Sequence, residues 1–138
     1  MSRISGPLLD RIDIQIEVPP VTYSDMTNGE RGEHSSEIKQ RVNRAREFAS
    51  QRFARDGIKK KFSNAALSPR DVQNYCKPDK EGAKLLQAAF DTLGLSARGH
   101  DKILRVARTI ADLDESEQIK APHIAEAIQL RSLDRKYF

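Results

Sequence analysis

The sequence has no tryptophan and only one cysteine, Cys76, among its 138 residues. A single cysteine excludes an internal disulfide, and three scattered histidines offer no zinc-ligand spacing. We therefore expect Cys76 to be a reduced, inert thiol, and we predict no metal site. No apolar run is long enough to cross a membrane, and the N-terminus shows no apolar export signal. These absences predict a cytoplasmic protein without a membrane partner.

The charges nearly balance: 24 lysines and arginines face 20 acidic residues, for a net charge of +4. This balance permits a nucleic-acid partner but does not require one. The hydrophobic content of 38% is ordinary for a soluble globular protein, and the length favours one compact domain.

Residues 12–18 alternate strictly between apolar and polar side chains and end at Pro19. This alternation predicts a half-buried strand. No second convincing strand exists in the sequence to pair with it, although a strand cannot satisfy its own backbone hydrogen bonds. Either the segment packs as an irregular arm or its sheet is missing. We therefore expect the chain to be a fragment of a longer protein.

Residues 22–35 are polar and lack a hydrophobic period, so we predict a flexible connection there. From Ser36 apolar residues recur at helical spacing up to Phe53, and Gly57 supplies a stop, which predicts a helix over 36–55. The other face of this helix is predicted to be basic. It carries Lys39, Arg41, Arg44, Arg46, Arg52 and Arg55.

Capping signals predict four further helices. Ser68 precedes a proline and an acidic residue, Asp79 and Ser96 each precede an apolar stripe, and Pro122 begins the last helix. The predicted inward residues of the helix after Asp79 are Leu85, Leu86, Ala89, Phe90 and Leu93; those of the helix after Ser96 are Ile103, Val106, Ala107, Ile110 and Leu113. The fold class is therefore mainly α, with a helical bundle preceded by one isolated strand or arm.

Two long segments carry a family resemblance: RISGPLLDRIDIQIEVP at residues 3–19, and LSARGHDKILRVARTIADLDES with HIAEAIQLRSLDRK over residues 95–136. Both resemble the magnesium-chelatase-like AAA+ ATPases of the competence-related branch. The resemblance implies that residues 1–21 end the nucleotide-binding core, that 22–35 form a linker, and that 36–138 form the C-terminal helical lid with an inserted helix. Residues 12–18 would then belong to the sheet of the missing α/β core.

The resemblance also implies roles for two arginines. Arg11 resembles the arginine finger that contacts the γ-phosphate in a neighbouring subunit, because a guanidinium is always charged and its fork fits phosphate oxygens. Arg98, in the first turn of a helix, resembles the sensor-2 arginine of the lid. The alternative for Arg11 is a surface arginine paired with Asp10 or Asp13, and for Arg98 a solvated residue.

The implied function is an ATP-driven motor in a homo-oligomeric ring, with a hexamer as the expected form and ATP with Mg²⁺ as cofactors of the whole protein. This chain lacks a P-loop and a Walker acidic motif, so it cannot hydrolyse ATP alone, and no cofactor is expected in it. The family includes motors that remodel DNA and motors that insert a metal into a porphyrin. The two motif segments resemble the DNA-remodelling members more, so the resemblance favours DNA remodelling.

Two other classes stay open. A stand-alone basic helical module would bind nucleic acid through Arg41, Arg44, Lys59, Lys60 and Lys61, although a solvated face is the simpler interpretation of such charges. A protein-interaction domain would instead use apolar faces that a missing core otherwise covers.

Overall fold

The computed structural model describes residues 6–29, 32–58 and 63–131. In this part of the chain the only β-type contact is an isolated parallel bridge between Pro78 and Ile119, which confirms the mainly α class. No helix of the described part combines the length and apolar character that crossing a bilayer requires. A short 3₁₀ turn covers Asn64–Ala66. The helices in chain order are α1 (Gly6–Leu9), α2 (Tyr23–Asn28), α3 (Ser35–Arg55), α4 (Pro69–Tyr75), α5 (Lys80–Leu93), α6 (Ala97–Leu113) and α7 (Ala121–Gln129).

Helices α4, α5 and α6 begin at the caps predicted from the sequence. The side-chain oxygens of Ser68, Asp79 and Ser96 accept hydrogen bonds at 3.3, 2.7 and 3.0 Å from the backbone N–H groups three residues further on. These bonds satisfy donors that the first helical turn would leave unpaired. Helix α5 ends at Gly94, whose φ of 61° lies in the left-handed region that favours glycine.

Helix α6 lies at the centre of the bundle and packs against α3, α4 and α7, while α5 packs mainly against α7. The core combines its inward face with residues of every neighbouring helix. Its fully buried members include Cys76, Ile103, Ala107, Ala111, Ile119, Ile124 and Ala127. Since α5 contacts α7 more than α6, an open groove remains between α5 and α6. Leu113 and Phe90 line this groove and are 48% and 38% exposed. Leu85, elsewhere on α5, is 37% exposed. The prediction that these three side chains face inward is therefore wrong.

A buried polar network joins α3 to α6. The carboxylate of Asp112 accepts hydrogen bonds from both terminal nitrogens of Arg52, at 2.6 and 3.1 Å, from Asn64 Nδ2 at 2.8 Å and from Arg108 Nε at 3.1 Å. All four residues are less than 9% exposed. Arg108 also donates to the backbone carbonyl of Glu117, at 2.8 Å. The prediction that Arg52 belongs to the basic surface of α3 is therefore wrong, because its guanidinium pairs inside the bundle.

The N-terminal half of α3 extends away from the bundle. Residues 35–44 are all exposed, including Ile38 and Val42, which the helical period predicted to face inward. Only Ala45, Arg52 and Phe53 of this helix are buried. The apolar stripe therefore contacts the rest of the described chain along its C-terminal half alone.

The segment before α3 differs from the predicted strand and connection. Residues 12–18 form neither a helix nor a strand, and we call residues 10–18 the arm. The apolar side chains predicted to be half buried are exposed, from 38% at Ile12 to 82% at Val18. Inside the predicted connection, α2 begins at a capping box in which Thr22 and Asp25 bond each other's backbone N–H groups.

We expect Asp112→Asn to lower the free energy of unfolding by about 3 to 5 kcal/mol, because it leaves two buried guanidinium groups without their carboxylate. Urea denaturation followed by circular dichroism measures the change. The matched control is Asp91→Asn, at an exposed position of α5, for which we expect a change within about 0.5 kcal/mol. Equal stabilities of the two variants would show that the network contributes nothing to α3 docking.

We also expect the Cys76 thiol to resist labelling in the folded chain. Burial raises its pKa to about 11, so the reactive thiolate is scarce at neutral pH. An unfolded thiol has a pKa of about 8.5. The unfolding free energy should therefore fall as the pH rises from that value towards 11. A disulfide reagent measures the thiol's accessibility with and without denaturant, and labelling in native buffer at the rate of a free thiol would contradict the burial.

Candidate functional site

The arm is held against the N-terminal end of α6. Ser96 Oγ, at the cap of this helix, donates a hydrogen bond to Asp10 Oδ2 at 3.1 Å. Lys102 Nζ donates to the backbone carbonyl of Arg11 at 3.0 Å and also forms an ion pair with Asp13. The first turns of α6 therefore contact the arm on both sides of Arg11.

The residues that follow α7 complete this contact. Arg131 donates a hydrogen bond from a terminal nitrogen to the carbonyl of Ile12 at 2.7 Å, and its other terminal nitrogen lies 3.9 Å from Asp10. The Arg131 side chain is only 2% exposed. The backbone N–H of Gln15 donates to the Leu130 carbonyl at 2.7 Å. Three consecutive arm residues, 10–12, are thus bonded to α6 or to the end of α7.

The guanidinium of Arg11 is exposed and forms no hydrogen bond or ion pair with any residue in the described part of the chain. The two carboxylates that could have neutralised it, Asp10 and Asp13, are engaged by Ser96 and Lys102 instead. The alternative that Arg11 pairs with Asp10 or Asp13 at the surface is therefore not observed. Arg11 presents an unneutralised positive charge at the end of the bundle.

Arg98 lies at the second position of α6, in the same region as the arm. Its side chain is exposed and has no partner among the described residues, and it borders the groove between α5 and α6, which has a volume of about 1480 Å³. The helix N-terminus adds a partial positive charge at this position. Arg98 thus lies in the first turn of α6, and the arm segment that carries Arg11 is bonded to the N-terminal half of the same helix.

The structure reveals two residues that the sequence analysis missed at this site, Lys102 and Arg131. Lys102 follows Arg98 by four residues and therefore lies on the same face of α6, which is a signal that the spacing offers. The contact of Arg131 with the arm has no local signal, because Ile12 and Asp10 are more than a hundred residues away in sequence.

The basic face of α3 is partly neutralised within the chain. Arg41 forms a two-pronged ion pair with Glu33, whose hydrogen bond lowers the pKa of that carboxyl. Arg44 lies 4.0 Å from Glu115, and Arg55 lies 2.8 Å from Glu117. Lys59, Lys60 and Lys61 lie outside the described residues. Arg41 and Arg44, which the sequence offers as nucleic-acid contacts, are thus each close to a carboxylate of the same chain.

No cluster of three or more His, Cys, Asp or Glu side chains that could hold a metal ion occurs among residues 6–29, 32–58 and 63–131. The acidic groups next to Arg11 are each committed to a cation or a cap. The arrangement suits contacts to an anion rather than coordination of a cation.

Comparison with known proteins places these segments in one family. The family described as magnesium chelatase, subunit ChlI C-terminal, matches residues 32–131, and that described as magnesium chelatase, subunit ChlI, matches residues 1–26. Competence protein ComM of Haemophilus influenzae is 39% identical over 98% of the chain, and protein YifB of Escherichia coli is also 39% identical over 98%. Protein Rv2897c of Mycobacterium tuberculosis is 33% identical over 95%. The chain spans about a quarter of the length of these relatives, between 25% and 26%.

Proposed function

We propose that this chain, which belongs to the magnesium chelatase subunit ChlI family, is the lid and subunit-interface region of an ATP-driven AAA+ motor. The proposal rests on Arg11 and Arg98. Both side chains are exposed and have no partner among the described residues. Arg98 lies in the first turn of α6, and the Arg11 backbone is bonded to Lys102 of the same helix. The rest of the nucleotide site would come from other segments of the longer protein and from neighbouring subunits of a homo-oligomeric ring.

Arg11 acts in this proposal as the arginine finger. A guanidinium that no carboxylate neutralises can extend across a subunit boundary and bond the γ-phosphate oxygens of ATP held by the neighbour. It stabilises the charge that develops as the phosphoryl group is transferred to water. Such a residue contributes about 10³ to 10⁵ in turnover, equivalent to about 4 to 7 kcal/mol at about 1.4 kcal/mol per tenfold.

Arg98 is proposed as the sensor-2 arginine. Its place in the first turn of α6 adds a mobile full charge to the partial charge of the helix end, and both attract a phosphate. The groove beside it leaves room on one side of the side chain. Contact with bound nucleotide would order Arg98 and thereby tie the position of α6 to the nucleotide state.

The described residues of this chain suit the phosphates of ATP better than they suit the Mg²⁺ ion. The two arginines suit phosphate oxygens, whereas a Mg²⁺ ion prefers carboxylate oxygens, of which no suitable cluster occurs in the described part of the chain. We therefore assign phosphate contacts to this chain and the metal to the remainder of the protein. When bound, ATP with Mg²⁺ supplies the phosphoryl group whose hydrolysis drives the motor.

The arm supports an origin in a larger sheet. Its side chains alternate between apolar and polar, and Ile14, Ile16 and Val18 are 46%, 70% and 82% exposed. Exposed apolar side chains on an extended segment suit addition to a neighbouring strand and burial beneath a second layer. In the proposal, residues 12–18 join the parallel sheet of the nucleotide-binding core.

Two outputs are compatible with this motor. The name of the Haemophilus influenzae relative, a competence protein, favours DNA remodelling, whereas the family description favours metal insertion into a porphyrin. We propose DNA remodelling, with Arg41, Arg44 and Lys59 to Lys61 as candidate contacts to the phosphate backbone. The ion pairs at Arg41 and Arg44 would be exchanged for phosphate contacts on binding.

We expect Arg11→Ala in the full-length protein to reduce ATP turnover by about 10³-fold or more while leaving nucleotide affinity nearly unchanged, because a finger acts on the neighbour's transition state. Steady-state hydrolysis and fluorescent-nucleotide binding measure the two quantities. Arg46→Ala is the matched control, since Arg46 is likewise exposed and without a partner among the described residues. Undiminished turnover in Arg11→Ala would reject the proposed function.

The DNA output predicts a salt-dependent affinity. If Arg41 and Arg44 contact phosphates, Arg41→Gln/Arg44→Gln should weaken binding and reduce the slope of log K against log salt by about 2, at about 1 per phosphate contact. Anisotropy titrations of the full-length protein at several salt concentrations measure this slope. The control is Lys84→Gln, at an exposed position of α5. An unchanged slope would remove α3 from the DNA interface, and an affinity insensitive to salt would argue against DNA backbone binding altogether.

A further inference from the structure

We propose that Lys102 and Arg131 are positioning residues that tie the backbone around Arg11 to the lid, so that the arginine finger moves with α6. This inference rests on the proposed function of Arg11. We call residues 10–13 the finger segment. Neither positioning residue is assigned to contact nucleotide.

The contacts reach the finger segment through its backbone. Lys102 bonds the carbonyl of Arg11 at 3.0 Å, and Arg131 bonds the carbonyl of Ile12 at 2.7 Å. The carboxylates on either side are held as well, Asp13 by Lys102 and Asp10 by Ser96. These bonds fix the two consecutive peptide groups that follow the Arg11 Cα and leave its guanidinium unbound.

The tie is stronger than an ordinary surface contact because both donors are charged and the Arg131 donor is also buried. The side chain of Arg131 is 2% exposed and that of Lys102 is 18% exposed. Hydrogen bonds from a charged donor are stronger than those between neutral groups, and burial strengthens the bond from Arg131 further. Arg131 also lies close to the first turn of α6, since its terminal nitrogen is 4.0 Å from the point where a Cβ on Gly99 would lie.

Lys102 and Arg98 lie one turn apart on α6, so the residue proposed to detect this chain's nucleotide and a residue that holds the finger share one rigid helix. A displacement of α6 on nucleotide binding therefore carries the finger segment with it. Because the finger serves the neighbouring site, the tie couples adjacent ATP sites. A finger displaced by only about 1 Å can lose about 100-fold in rate, which makes such coupling effective.

The test uses the full-length protein with Lys102→Gln, Arg131→Gln and Arg131→Lys, and Lys84→Gln as the matched control on an exposed lysine that pairs only with Glu81 among the described residues. We expect Lys102→Gln and Arg131→Gln to lower kcat for ATP hydrolysis by about tenfold or more, with KM for ATP changed by less than about twofold. Arg131→Lys should recover part of kcat, because an ammonium can still donate to the Ile12 carbonyl.

Two further measurements separate positioning from a general loss of structure. The double variant Arg11→Ala/Lys102→Gln should be no slower than Arg11→Ala alone, because Lys102 acts through Arg11. Hydrogen exchange of a peptide covering residues 12–18 should become faster in Lys102→Gln, since the Gln15 amide is bonded to the Leu130 carbonyl only while the arm is docked. A uniform loss of stability would instead add a further decrease to the double variant.

The outcomes distinguish this inference from the proposed function. Full activity of Arg11→Ala would reject both. An inactive Arg11→Ala combined with unchanged kcat in Lys102→Gln and Arg131→Gln would reject the tie and leave the finger assignment in place. Should Arg131→Gln fail to fold, Lys102→Gln decides, because its partly exposed side chain can be replaced without opening the core.

Discussion

The carboxylate of Asp112 is the group around which the bundle is assembled. It lies near the end of α6 and accepts four hydrogen bonds, from Arg52 on α3, Asn64 in the 3₁₀ turn, and Arg108 one turn earlier on α6. Through Arg108 the network also reaches the turn that leads to α7. Since a buried charge is costly unless its partners are present, the network favours the placement of α3 that brings Arg52 to Asp112. Phe53 adds an apolar contact to the same half of α3.

Helix α3 is held to the bundle at its C-terminal half, where Arg52 and Phe53 are buried. Its N-terminal half, residues 35–44, is exposed because no described residue packs over it. Ion pairs to Glu33 and Glu115 stabilise the side chains there without burying them, and exposed pairs of this kind contribute little to stability. The arm shows the same division. Its polar backbone groups are bonded to the bundle while Ile16 and Val18 remain exposed. Both features leave apolar side chains exposed, among them Ile38, Val42 and Val18.

The parts of the fold that the sequence predicts are those with local causes. Ser68, Asp79 and Ser96 begin helices because a capping side chain acts on residues three positions away, and the buried face of α6 follows from its period. Arg52 was predicted on the surface because its partner, Asp112, is 60 residues away and no period encodes it. Helix α2 is an exception: its capping box is local, but it buries no residue, so no apolar period accompanies the cap in the sequence.

The candidate site divides in the same way. Arg11 and Arg98 could be proposed as site residues from the sequence because each lies in a contiguous motif, whereas the contact of Arg131 with Ile12 is visible only in the folded chain. The bonds from Lys102 and Arg131 end on carbonyl oxygens, which every residue type carries. Substitutions of the arm side chains leave these two acceptors in place and remove only the added contacts of Asp13 with Lys102 and of Asp10 with Ser96. The two bonds to the carbonyl groups can therefore be removed by a side-chain substitution only at Lys102 or Arg131. The exposed apolar surface of the arm and the position of the Arg11 backbone thus depend on different residues.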